Sequence, residues 1–273
     1  MNDMEAMARL LEALRPWSDR LVFVGGWAHR LHRFHKLAGH VPYLPVMTRD
    51  ADVAIPDESL WRGDIGEALS RANFKEELST DFRPPVAKYR LGGEAEGFFA
   101  EFLAPLRGSR LRRDGSLDAT VARAGITAQK LRHVDILLLH PWTVAVGPAV
   151  GIPLVDGAEP MIANPVTFIA QKLLIQRYRP PGKRAQDALY IHDTIELFGD
   201  SLEALGKLWV EAVRPSLTPK TARQVEDLQG RYAAGLSDAF REAARIPQDR
   251  TLAPLRLQQV CAYGLRQIFQ SAG

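Results

Sequence analysis

Two aspartates one residue apart, Asp50 and Asp52 in the stretch DADVAI, have the spacing in this chain that points most directly to chemistry. On a β-strand alternate residues share a face, so both carboxylates point one way while Ala51 and Val53 point the other. Side by side, the like charges repel, and either solvent at a strand edge or a bound divalent cation relieves them. Mg2+ suits such a pair because it takes a few carboxylate oxygens and leaves the rest of its octahedron to water and phosphate. Upstream, RLVFVGG runs into Gly25 and Gly26 and then a helical period, WAHRLHRFHKL. A strand–glycine–helix turn lets backbone amides approach a phosphate closely at a helix N-terminus. His29 or Arg30, one turn beyond Gly26, is placed to line such a site. A third carboxylate would complete a metal cluster. Glu101 in FFAEFLAPL and Asp135 in RHVDILLL are the two candidates, each an acid inside an apolar run that needs a partner or an ion.

The elements that must hold these residues follow from periodicity. Residues 4–14 (MEAMARLLEAL) repeat apolar positions at helical spacing and predict a first helix. RLVFVGG and DADVAI read as strands, LWRGDIGEALSRANF as a second helix, and AKYRLGG and GFFAEFLAPL as further strands before a polar turn, RRDGS. RHVDILLL reads as one more strand. Strands and helices interleave early and hairpins come later, an α/β order. Between His140 and Pro165 five prolines interrupt the chain, which suits irregular connections and edge strands and marks a boundary. Beyond it the pattern is helical throughout, opening with Asn164 as a helix N-cap and Pro165 at the first helical position. The expected organisation is an α/β domain over 1–160 and a C-terminal helical domain over 161–273.

Composition narrows the classes. The 273 residues are 46% hydrophobic and 25% charged with a net charge of +3, the profile of a globular protein large enough for one or two cores. No apolar run reaches the ~18 residues of a membrane span and no signal peptide is read, so the expected location is the cytoplasm. The single cysteine, Cys261, rules out a disulfide framework and multi-cysteine zinc sites. His29, His32 and His35 diverge around a helix, which argues against zinc there too. Neither G-x-G-x-x-G nor G-x-x-x-x-G-K-[ST] occurs, removing the two commonest nucleotide folds. Basic residues nevertheless cluster: KLLIQRYRPPGKR carries five Lys or Arg without an acid, and RGSRLRR carries four. Such runs are either solvated faces or the footprint of a polyanion such as RNA.

GGWAHRLH followed by TRDADVAIP is similar to the signature of the DNA polymerase β-type nucleotidyltransferase superfamily, in which a Gly-Gly or Gly-Ser turn precedes an acidic pair. The nearest resemblance is to its bacterial AbiEii-like and MenT-like toxin branch. EFLAPLRG resembles the strand that carries the third acid there, which favours Glu101 over Asp135. NPVTFIAQKLLIQRYRPPGKRAQDALYI resembles that branch's helical block. The resemblance implies a mixed-sheet nucleotidyltransferase domain followed by helices. It implies Mg2+ (or Mn2+) on Asp50, Asp52 and Glu101, with an NTP substrate near Gly25, Gly26 and Arg30. Lys172 would contact the triphosphate, and Asp187 would hold the site's basic residues or position substrate. The implied acceptor is RNA, tRNA foremost, and the implied partner is an antitoxin protein. Gly26 departs from members that carry Ser, which removes a hydroxyl contact to phosphate. A catalytically silent nucleotide- or RNA-binding relative is the alternative that retention of both aspartates argues against.

Overall fold

In the computed structural model, the described residues are 2–57, 61–79, 86–92, 97–109, 111 and 115–270. Much of RRDGS, and Arg110, Arg112 and Arg113 of the RGSRLRR cluster, lie outside them. Two compact units emerge: Met1–Phe34 with Met47–Ala163, and His35–Val46 with Asn164–Gly273. No helix among the described residues is long and apolar enough to cross a membrane.

The first unit is a mixed sheet with helices. Its elements are α1 (Asp3–Leu14), β1 (Val22–Val24), α2 (Gly25–Leu31), β2 (Asp50–Ala54), α3 (Ile65–Arg71), β3 (Phe74–Ser79), β4 (Val86–Leu91), β5 (Phe99–Pro105), β6 (Thr120–Arg123), β7 (Ile126–Leu131), α4 (Val134–Leu137), β8 (Trp142–Thr143) and β9 (Met161–Ile162). The strands order as β3-β4-β5-β2-β1-β9-β8, with β7 joining β5 and β6 joining β7. At the centre β2 runs parallel to β5 and antiparallel to β1. Period-2 alternation divides the strands cleanly. Phe23, Ala51, Val53, Tyr89, Ala100 and Phe102 enter the large core, which α1 closes with Met7, Leu10 and Leu14. The opposite face carries a smaller apolar cluster of Val22, Val24, Ala54, Leu103, Val134 and Leu137.

Three expectations are corrected here. RHVDILLL is not a strand: Val134–Leu137 form the short helix α4, because Val134, Ile136 and Leu137 bury while Asp135 stays exposed. An apolar run this short fits either period. The second helix is shorter than LWRGDIGEALSRANF. It begins after Asp64, whose carboxylate caps Glu67 N–H at 2.8 Å, and stops at Arg71. Asn73 then takes φ 67°, turning the chain into the unforeseen strand β3. That strand, at a sheet edge, carries exposed Lys75, Glu76 and Glu77, charges that discourage pairing with another chain.

The second unit is helical: α5 (Pro165–Ile175), α6 (Pro181–Leu197), α7 (Leu202–Leu208), α8 (Arg214–Ser216), α9 (Pro219–Tyr232), α10 (Asp238–Ala243) and α11 (Pro254–Phe269). Seventeen-residue α6 packs against α5, α10 and α11. Gly264 of α11 explains how closely: a Cβ there would stand 2.3 Å from Ile195 Cγ2. Asn164 caps α5, its buried side chain accepting from Thr167 N–H at 2.9 Å. Asn164→Ala should therefore cost about 1 kcal/mol, read as a lower urea midpoint with unchanged slope. An unchanged midpoint would show that the cap contributes nothing.

Residues 35–46 belong to this helical unit as a strap. Gly39 N–H bonds Leu197 O at 2.7 Å, Leu44 N–H bonds Asp249 at 2.7 Å, and Tyr43 O–H bonds Glu196 at 3.0 Å. The Arg250 guanidinium lies 3.4 Å over the Tyr43 ring and bonds Asp193 at 2.6 Å.

Candidate active site

Strand register assembles the acids. Asp52 stands directly opposite Glu101 on β5 and opposite Val24 on β1, and Asp50 stands opposite Phe99. Paired residues of neighbouring strands share a face, so Asp50, Asp52 and Glu101 lie on one side of the sheet. All three are half-buried. Asp135 is on α4, a separate element, and is exposed.

Gly25 closes the arrangement. It follows β1 with φ 60°, a left-handed conformation that favours glycine, and opens α2. A Cβ built there would lie 2.2 Å from Asp52 Oδ2, so the absence of a side chain makes room for that carboxylate. Val24, the residue capping α2, provides no side-chain cap for its first amides. The turn thus brings a carboxylate and the start of a helix together.

Neighbours tune the acids. Thr48 Oγ1 donates to Asp50 Oδ1. Lys88 of β4 lies 3.4 Å from Glu101 Oε1, and its Nζ sits 4.8 Å from the Phe99 ring. Arg90, on the same face of β4, pairs with Glu77 at 2.7 Å. Sequence reasoning missed Lys88. The alternation in AKYRL places Lys88 and Arg90 on one face, but nothing local says that Glu101 is their neighbour.

Arg30 is 5% exposed. Its guanidinium lies 3.5 Å from Asp3 and 4.0 Å over the Trp27 ring. His29 is also buried, against His32, whose Nε2 is 2.8 Å from Ala163 O.

In the helical unit Lys172 and Asp187 meet. Lys172 Nζ donates to Asp187 Oδ1 at 2.6 Å, each residue 3% exposed, and lies 4.6 Å from both the Phe168 and Tyr190 rings. Arg179 donates to the other oxygen at 3.2 Å, so Asp187 holds two cations. The same unit contains His192, Asp193 and Glu196, whose ligand-type atoms lie within 4.8 Å of one another. Asp193 is already bonded by Arg250 and Glu196 by Tyr43, so the group is compensated without an ion. Burial and these two carboxylates push the Tyr43 phenol well above its usual range, which keeps it a donor. Among the described residues no other such group is that tight, so the carboxylates of Asp50, Asp52 and Glu101 share a face without converging to that degree.

The donor set on the sheet fits a divalent cation: hard carboxylate oxygens, like charges on adjacent strands, and a glycine cradle that a Cβ would fill. Asp50, Asp52 and Glu101 are the residues that could hold it.

A family model described as nucleotidyltransferase matches residues 2–214. No curated protein and no solved structure matches the chain.

Proposed function

The chain belongs to that nucleotidyltransferase family, and we propose that it transfers a nucleoside monophosphate from an NTP to an acceptor hydroxyl, with Mg2+ or Mn2+ held by Asp50, Asp52 and Glu101. The observation that carries the assignment is the register placing Asp52 opposite Glu101, beside the Gly25 turn. The chemistry a bound cation supplies is charge neutralisation on phosphate and a lower pKa for the attacking hydroxyl. This chain's own residues position and compensate. Thr48 orients Asp50, and Gly25 and Gly26 bring backbone amides toward phosphate. Lys88 orients Glu101 and adds positive charge beside it. Arg30 is a fixed charge five residues past Gly25, held by Asp3 and Trp27. In the transfer itself the acceptor oxygen bonds the α-phosphorus in line as the bond to the pyrophosphate oxygen breaks, so catalysis is positioning and electrostatics.

Lys172 enters the proposal as a triphosphate contact and Asp187 as the group that positions Lys172 and Arg179. Lys172 and Arg179 are held side by side on that one carboxylate. RNA, tRNA foremost, is the proposed acceptor. Its support is the basic stretch from Lys172 to Arg184. A toxin role with an antitoxin partner, in the AbiEii-like and MenT-like branch, rests on the motif resemblance.

The test is incubation with labelled NTPs, Mg2+ and total RNA. Label should appear on RNA, and EDTA should remove it. Nucleotide binding without label on any acceptor would make the chain a silent binder and end the enzyme reading. Gly25→Ala provides a sharper check of the site. Its Cβ must displace Asp52, and a misplacement of ~1 Å costs about 100-fold in rate. Transfer at wild-type rate by Gly25→Ala would separate the glycine turn from the reaction.

A further inference from the structure

A cleft of ≈ 450 Å³ lies within the helical unit, in the ~300–1,000 Å³ range of small-ligand sites. Arg177, from the turn after α5, Arg184 of α6 and Arg231 of α9 converge on it, with Gln176, Gln224 and leucines between them. Gln224, Leu228 and Arg231 are spaced four and three apart, one stripe of α9. Among the described residues no acid lines the cleft.

Among the described residues the three guanidiniums have only neutral partners. Arg184 Nε donates to Arg179 O at 2.8 Å, Arg231 Nε to Asp227 O at 3.2 Å, and Arg177 lies 4.5 Å from the Tyr178 ring. Elsewhere in this unit Arg214 bonds Glu226, Arg179 bonds Asp187 and Arg250 bonds Asp193. Gln176 Nε2 is buried with no hydrogen-bond partner among the described residues. Three cations around one cavity repel one another, and an anion with several acceptor oxygens relieves that repulsion while accepting from all of them.

We propose that this cleft is a phosphate-binding site for a nucleotide, free or within an RNA strand. The arginines take the phosphate, while the glutamine amides and leucines suit the edge and face of a base. One wall, α9, lies beyond the residues 2–214 that match the family. The cleft's chemistry does not depend on whether Asp50 and Asp52 support transfer.

The experiment uses the full chain carrying Asp50→Ala and Asp52→Ala, in EDTA, so that metal-dependent binding at the sheet is silent. Binding of ATP and of a short fluorescent single-stranded RNA is measured across a salt series, with and without Arg177→Ala and Arg231→Ala. Each arginine change should weaken binding about tenfold and make the salt dependence shallower. Arg223→Ala, exposed on α9 outside the cleft, should bind like the parent. Binding of RNA alone identifies the strand as the source, and binding of ATP identifies the free nucleotide. The site is refuted if neither binds, if the Arg177→Ala/Arg231→Ala double variant binds as tightly as its parent, or if Arg223→Ala loses as much.

Discussion

Asp52→Asn should lower nucleotide transfer by on the order of a thousandfold while the protein melts at the same temperature or higher. The rate falls because the substitution removes one carboxylate from the face where Asp50, Asp52 and Glu101 lie together, and with it several kcal/mol of charge stabilisation. The fold survives because the side chain is half-buried on the face opposite the main core, where Ala51 and Val53 pack. Stability can rise because removing one of three like charges relieves their repulsion. Asp135→Asn, at the exposed position of α4, should leave both rate and melting unchanged. Initial rates and circular-dichroism melts read the two effects separately. Equal losses at Asp52 and Asp135 would mean that the sheet does not organise the chemistry.

The largest effect on stability should come from Asp187→Ala. It leaves the ammonium of Lys172, 3% exposed between two aromatic rings, without its partner at 2.6 Å. Breaking a buried ion pair from one side costs about 3–5 kcal/mol, a large share of a domain's stability. Lys172→Met with Asp187→Leu removes both charges and should regain most of that loss, since apolar groups of similar volume replace buried pairs at little cost. Urea midpoints test the comparison. Transfer by the double variant then separates two roles. A stable, inactive double variant supports the proposed triphosphate contact, whereas a stable, active one reduces the pair to structure. A double variant as unstable as Asp187→Ala would contradict the charge argument.

The mixed sheet with a helical C-terminal region was legible in the chain because its signals are local. Period-2 alternation around Asp50 and Asp52, glycines at the end of a strand, and Asn164-Pro165 at a helix start each act within a few residues. Where pairing decides, the sequence was silent. Nothing within FKEELS marks it as an edge strand, because that role depends on its pairing with β4 across the sheet. Val134–Leu137 carry an apolar run too short to distinguish strand from helix. Glu101 could be ranked over Asp135 only by resemblance, since its position opposite Asp52 depends on a parallel pairing of strands far apart in the chain. The cation beside it, Lys88, was invisible for the same reason.

The strap at residues 35–46 has a consequence for how the protein is made. Its bonds reach Glu196, 153 positions on, and Asp249, 205 positions on. At ~5–20 residues per second of synthesis, about 10–40 s separate Leu44 leaving the ribosome from the arrival of Asp249. During that interval the strap waits first for α6, which carries Glu196, and last for Asp249. The helical unit is therefore finished from both ends of the message, and a fragment beginning at Asn164 would carry Glu196, Asp249 and Arg250 without the Tyr43 and Leu44 groups they hold.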